Sequence, residues 1–466
     1  MKVRINNFGP VRGKQNYVID LSKQLTIVTG GNGLGKTYLG YMVYGLLKRF
    51  SEITLNDNRY ILDKWIEKDK SYYYLTLSPS RFQKVLNMIF NVFYEDLPAL
   101  LGVDRKTADM IFNQLGIQII EIDSLHKEYM DSKIELKNGG DDTLVAKEEG
   151  EERIKLPLDD ENESTGKTAI AGVMSFFVKK SILKLISIRR VYYIPVERNS
   201  LYTFSKELSL KRSEIIDQMH NFLINSKKEE DTLSKLLKRN SNRYPEAIED
   251  ALRQAQDLTQ LTKSESEPCF LKLANEIETD ILQGTINISS DGEVEFVPQK
   301  SRRKKVPVHL SASFIKTISS VLLFLKHTGE KGDMVMIDEP EMNLHPDMQI
   351  LFARILVKMS NSGIKVWLST HSDYVISEIN NMFLAGVLIE KGQEEKVLEW
   401  GYNKGVSINK DNAQALYLDG EEAKTQVKIK NLNISDQGID IASINTTLER
   451  LNERSNELEE LYENLD

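Results

Sequence analysis

The stretch TIVTGGNGLGKT, Thr26 to Thr37, decides the fold class. An apolar run (Leu25, Ile27, Val28) leads into Gly30, Gly31, Gly33 and Gly35, and Lys36 and Thr37 follow at once. Gly30-x-x-x-x-Gly35-Lys36-Thr37 is a full Walker A pattern. In such a loop the glycines let backbone N–H groups close around phosphates, and the next helix turns its positive end toward them. Leu39, Met42, Val43, Leu46 and Leu47 recur at helical spacing just downstream. Strand, glycine loop and helix is the context a phosphate cradle needs. The expected ligand is therefore ATP, held by Gly30, Asn32, Gly33, Gly35, Lys36 and Thr37. Lys36 is placed to bridge the β- and γ-phosphates, and the Thr37 hydroxyl to hold Mg2+.

The other half of the site is read at Met334-Val-Met-Ile-Asp338-Glu339-Pro340. Four apolar residues bury a strand, and Asp338 emerges at its end to bind Mg2+ through water. Glu339 is then placed to polarise the attacking water. A carboxylate pair here also suits a plain strand-to-loop exit; the Walker A pattern upstream is what assigns it chemistry. The next apolar strand, KVWLST (365–370), is followed directly by His371.

Composition narrows the rest. A chain of 466 residues suggests two or three lobes, and 41% hydrophobic residues suffice for real cores. The formal net charge of −8 confines any nucleic-acid contact to a local basic patch. A single cysteine, Cys269, excludes an intramolecular disulfide framework and fits a reducing cytoplasm. MKVRINNFG lacks a signal-peptide core, and no apolar run approaches a membrane span. The expectation is a cytoplasmic protein without membrane contact.

The simplest topology is α/β. It joins residues 1–50 and 285–400 into one discontinuous nucleotide-binding domain and inserts 51–284 as a large, mainly helical lobe. Helical patterns run over 59–70, 80–94 and 169–186, and the acidic stretch 138–167 reads as exposed hairpins and loop. Val191–Val196 reads as a buried strand, and 205–265 as a short coiled-coil hairpin. A hairpin turns at Asp291-Gly292, and helices follow at 311–327 and 346–360. Residues 401–466 read as a C-terminal extension ending in an amphipathic helix with Leu448, Leu451, Leu458 and Leu461.

A glutamate directly after the Walker B aspartate, and a histidine after the next strand, resemble the ABC and SMC ATPases. That resemblance implies that His371 reaches the γ-phosphate and makes the site sensitive to ATP versus ADP. It also directs attention to Leu310-Ser311-Ala312-Ser313, which stands where such ATPases carry an LSGGQ segment but lacks both glycines. If the parallel holds, Ser311 and Ser313 contact the γ-phosphate held by a second copy, and dimerisation belongs to the mechanism. Either way both serines are expected to cap the helix that follows. INNFGP, IPVERNS, EPEMNLHPDMQ and STHSDY together resemble the SMC-like, AAA-type ATPases of the overcoming-lysogenisation-defect group. The stand-alone members in anti-phage systems such as PARIS, Septu and some retrons are the nearest in look. The resemblance implies an ATP-dependent sensor or scaffold that forms homo-oligomers and controls a separately encoded effector. Alternatives are an SMC-like ATPase in DNA repair or maintenance, or a nucleotide-gated scaffold with little turnover.

Relatives that end in a TOPRIM nuclease need an Asp-x-Asp, and no such motif follows His371. The long coil with a zinc hook is missing too. Ser164–Thr168 looks like half a P-loop but reads as loop and helix start, and Ser301–Lys305 reads as a phosphate grip or a solvated hairpin end. Arg198 faces either a phosphate or interface, or a structural salt bridge.

Overall fold

The computed structural model describes residues 1–13, 15–52, 65–68, 72–112, 114–120, 122–137, 143–157, 176, 181, 184–201, 244–256, 258, 268–290, 292–301, 304–420, 426–440 and 453–458. Six strands form its central sheet, in the order Val191–Ile194, Met334–Asp338, Lys365–Thr370, Leu25–Gly30, Ala413–Asp419 and Lys428–Leu432. The first five run parallel, and the last is antiparallel to its neighbour. Parallel strands covered on both faces are buried on both and are rich in apolar residues. Accordingly Leu25–Gly30, Met334–Asp338 and Lys365–Thr370 are buried at every position.

Strand periodicity then sorts the side chains into two cores. Val28, Met334, Met336, Trp367, Leu416 and Leu418 face the helix Lys36–Glu52, meeting its Leu39, Met42, Val43, Leu46 and Leu47. Ile27, Val335, Ile337, Val366, Leu368 and Ala415 face the other way. They pack with the helices Ser313–Leu323, Pro346–Asn361 and Asp373–Glu390. One strand, Lys365–Thr370, separates the strand ending at Gly30 from the one ending at Asp338. Glycine loop, Asp338 and His371 thus emerge together at the carboxyl edge of the sheet, where open α/β folds bind ligands.

Three strands of this sheet, Val191–Ile194, Ala413–Asp419 and Lys428–Leu432, lie outside the expected ranges 1–50 and 285–400. Val191–Ile194 pairs with the Walker B strand, and Ala413–Asp419 pairs with Leu25–Gly30. Without Ala413–Asp419 the P-loop strand would expose a row of unpaired backbone groups on that side. Gly116–Ile120 also crosses the expected boundary, pairing antiparallel with the N-terminal strand from Lys2↔Ile120 to Asn6↔Gly116.

The inserted region holds the helices Pro79–Glu95, Leu97–Leu101, Arg105–Ile111, Ile122–Asp131 and Glu246–Gln256. It also holds an antiparallel five-stranded sheet, of which only the hairpin Thr143–Lys147 with Arg153–Pro157 falls in the stretch 138–167 read as hairpins and loop. Its order is Ile66–Lys68, Tyr72–Thr76, Arg153–Pro157, Thr143–Lys147, Ile134–Lys137. Tyr73, Leu75, Val145, Ile154 and Leu156 turn inward. The acidic look of the hairpin 143–157 comes from Glu148, Glu149, Glu151 and Glu152 in the turn between its two strands, while Arg153 and Lys155 point outward beyond it. Ile66–Lys68 is a strand where a helix was expected over 59–70. The half P-loop at 164–168, most of the proposed hairpin at 205–265, and Leu448, Leu451 and Leu461 lie outside the described residues. Of the terminal helix, residues 453–458 are described, and they are helical and exposed. No helix among the described residues is long and apolar enough to cross a membrane.

A candidate nucleotide and magnesium site

The glycine loop is held by constraints that only glycine meets. Gly30 has φ +141°, and a Cβ there would sit 2.5 Å from the Leu418 carbonyl oxygen. Gly35 has φ +98°, and its Cβ would meet Pro10 Cγ at 2.9 Å. Gly30→Ala is therefore expected to cost about 1–3 kcal/mol in backbone strain alone, with further loss from the clash. A thermal unfolding midpoint unchanged from wild type would contradict this. Asn32 and Gly33 lie exposed at the crest of the loop, and the helix starts at Lys36.

Lys36 folds back over the loop, its Nζ donating to the carbonyl oxygens of Gly30 and Gly31 at 2.9 Å each. Burial holds its pKa below the ordinary lysine range, opposed by the fields of Glu339, Asp338 and Glu341. The Thr37 hydroxyl donates to Asp338 Oδ2 at 2.8 Å, and the Ser369 hydroxyl donates to Asp338 Oδ1. Three elements distant in sequence thus converge on one carboxylate. A hydroxyl beside a carboxylate suits Mg2+, which prefers few protein ligands and keeps waters and phosphate oxygens. Among the described residues no group of three His, Cys, Asp or Glu side chains could hold a metal ion by itself. Thr37 and Asp338 are the residues that would hold Mg2+, with the phosphates completing the shell.

Glu339 adopts a left-handed backbone, φ +45°, and its N–H donates to Ser369 O at 2.9 Å. Its side chain is 20% exposed. Burial raises its pKa above the usual carboxylate range, Asp338 and Glu341 add to the rise, and His371 and Lys36 oppose it. A raised pKa suits a group that must take up a proton. His371 Nδ1 lies 3.5 Å from Glu339 Oε1 and 3.2 Å from Glu341 Oε1.

Glu341 was not among the expected site residues. It is buried, and its Oε1 accepts from the Thr370 hydroxyl and from the His371 N–H, both at 2.8 Å. It therefore fixes the peptide that presents His371. Its only sequence signal was a second acid in Glu339-Pro-Glu341, easily taken for part of an exposed loop. Tyr193 was also missed. Its hydroxyl is fully buried beside Asp338, and burial first, then that carboxylate, raises its pKa well above the ordinary tyrosine value.

A profile of the AAA ATPase domain family matches residues 1–376. The chain belongs to that family. No curated protein matches it. Among solved structures, an Smc head domain with an extended coiled coil, bound to the C-terminal domain of ScpA and derived from Pyrococcus furiosus, is 12% identical. That alignment covers 97% of this chain and 98% of the other, with a TM-score of 0.37. An SmcHead bound to the C-winged helix domain of ScpA is also 12% identical, over 93% and 97% of the two chains, with a TM-score of 0.35. The SMC head domain from Thermotoga maritima is 10% identical over 93% and 98%, with a TM-score of 0.31.

In this AAA ATPase the remaining candidates behave differently from expectation. Arg198 binds no carboxylate among the described residues. Its guanidinium donates to the carbonyl oxygens of Pro195, Asp338, Glu339 and Pro340. Burial pushes its pKa down to about 10, against the fields of Glu341, Asp338 and Glu339. Ser311 and Ser313 do not cap their helix. The cap position is Ala312, which has no side-chain bond, and the Ser311 hydroxyl donates instead to Val308 O at 2.6 Å. Neither serine is bonded to the cluster around Asp338. They follow directly on Leu310, which is 71% exposed; Ser311 is half-buried and Ala312 and Ser313 are exposed. Of the basic stretch, Lys305 pairs with Glu295 at 3.1 Å, so part of its charge is already answered.

Proposed function

We propose that this AAA ATPase binds ATP with Mg2+ and hydrolyses it, with Glu339 as general base and His371 as the group that reports the γ-phosphate. One observation supports this above the others. A partly buried carboxylate with a raised pKa stands next to His371, one residue from the Thr37–Asp338 hydroxyl–carboxylate pair. The loop N–H groups and Lys36 orient the phosphates, and Glu339 takes the proton from the attacking water. Mg2+ supplies neutralisation of the charge that develops on the phosphate oxygens.

The chain works in this reading as a homodimer or higher homo-oligomer. The segment Leu310–Ser313, unconnected to its own Asp338 cluster, suits a site completed by a second copy. Closure of two copies around ATP then switches a sensor or scaffold that controls a separately encoded effector. The motif resemblance to stand-alone anti-phage ATPases is what favours a role in bacterial defence.

Complementation tests the composite site. Lys36→Ala and Ser311→Arg are each expected to be inactive alone. Mixed in equal amounts they should recover about a quarter of wild-type turnover, since half the dimers would then hold one intact site of two. Full activity of Ser311→Arg alone, or no recovery in the mixture, would defeat the shared site. A salt-sensitive shift of duplex DNA would favour chromosome maintenance over defence.

A further inference from the structure

Arg198 is wholly buried, 0% exposed, and its Nε has no hydrogen-bond partner. Burying a guanidinium without a carboxylate contact is costly, so the position of its other bonds matters. Two of its nitrogens grip three consecutive carbonyls of the loop after the Walker B strand. Nη1 donates to Asp338 O at 2.8 Å, and Nη2 to Glu339 O at 2.7 Å and Pro340 O at 3.2 Å. Between these carbonyls lies the left-handed Glu339, a conformation that residues with a Cβ rarely adopt. Its N–H is tied to Ser369 O at 2.9 Å. Glu339 is thus held on both sides, and it cannot relax toward an ordinary backbone without breaking a bond to Arg198 or Ser369. The neighbouring Asn199 accepts through Oδ1 from the Thr317 hydroxyl at 3.0 Å. Thr317 belongs to the helix Ser313–Leu323, which begins at exposed Ser313.

We infer that Arg198 is a positioning residue. It acts through backbone carbonyls to hold Glu339 in its left-handed conformation, and with Asn199 it ties that conformation to the helix behind Ser313. The effect on turnover rests on the hydrolysis proposed above; the hold on the loop is a property of the chain without nucleotide.

Two readouts separate these. In nucleotide-free protein, Arg198→Met should speed hydrogen exchange at the amides of Glu339, Met342 and Leu344 by about tenfold or more, as for a locally opened segment. Exchange in the strand 25–30 should not change. In the ATPase assay, kcat should fall by about a hundredfold, the usual cost of a misplaced catalytic group. KM should stay within about threefold of wild type, since phosphate binding is untouched. Arg198→Lys should fall between the two proteins, because an ammonium reaches fewer carbonyls than the planar fork. Unchanged loop protection in the methionine variant overturns the inference, whatever happens to turnover. So does a loss of protection spread over the whole sheet, which would mark a general folding role. If the methionine variant does not fold, the lysine variant carries the same test, with loop-confined loss expected. A wild-type protein without turnover would defeat the hydrolysis reading alone, and the exchange result would still decide this one.

Discussion

Glu339→Gln is expected to lower ATP turnover by about 10²–10⁴-fold, the range set by removing a positioned general base. The amide keeps the size of the carboxylate and leaves the backbone bonds to Ser369 and Arg198 in place. It can still bond His371, so the loop should keep its shape. What it loses is the ability to take up a proton. ATP affinity should hold or rise, because one negative charge leaves a cluster that already contains Asp338 and Glu341. Nucleotide would then bind without being consumed, and in the shared-site reading the closed dimer should accumulate. Phosphate release and size-exclusion chromatography with ATP check the two parts. Turnover that survives the substitution would remove Glu339 from the role assigned to it. A purely nucleotide-gated scaffold would show little turnover to begin with and no change in oligomer.

Lys36→Ala is expected to weaken nucleotide binding by about a hundredfold, as ~3 kcal/mol of charge-assisted hydrogen bonding would give. The reason lies in the local charge balance. Lys36 sits in the field of Glu339, Asp338 and Glu341, and without it an incoming triphosphate meets those carboxylates uncompensated. Stability should change little, since alanine is a good helix former at the first residue of Lys36–Glu52. Lys36→Arg should not rescue binding, because a planar guanidinium cannot fold over the loop as the flexible ammonium does. Titration with a fluorescent ATP analogue measures the effect. Near-wild-type affinity in the alanine variant would contradict the assignment of this lysine to the phosphates.

The parts of the candidate site that were legible in sequence share one property: their chemistry depends on close neighbours in the chain. Gly30 to Thr37 carry the whole glycine-loop pattern within eight consecutive residues. Asp338 and Glu339 follow a strand of four apolar residues, and His371 follows another. The same local patterning marked the helix after the P-loop and the strands 334–338 and 365–370. The inserted sheet was less legible because its strands are short and half their residues face water with charges. Tyr73, Leu75, Ile154 and Leu156 alternate correctly, but over too few residues to stand out beside Arg153 and Lys155.

Arg198 and Glu341 mark where local reading stops. An arginine in a polar tripeptide and a second acid in a loop have no sequence pattern that announces burial. Their partners lie far along the chain: Asp338 to Pro340 for the one, Thr370 and His371 for the other. Ser311 and Ser313 show the converse, since a plausible capping pattern yielded to a backbone that placed Ala312 at the cap. By itself the sequence determined an α/β chain with a glycine loop and a carboxylate pair near it, because glycine freedom and strand burial are local properties. Only the tertiary structure decided which strands complete the sheet, and that Arg198 grips the loop carrying Glu339. Those outcomes depend on the pairing and desolvation of groups that meet only after the chain has folded.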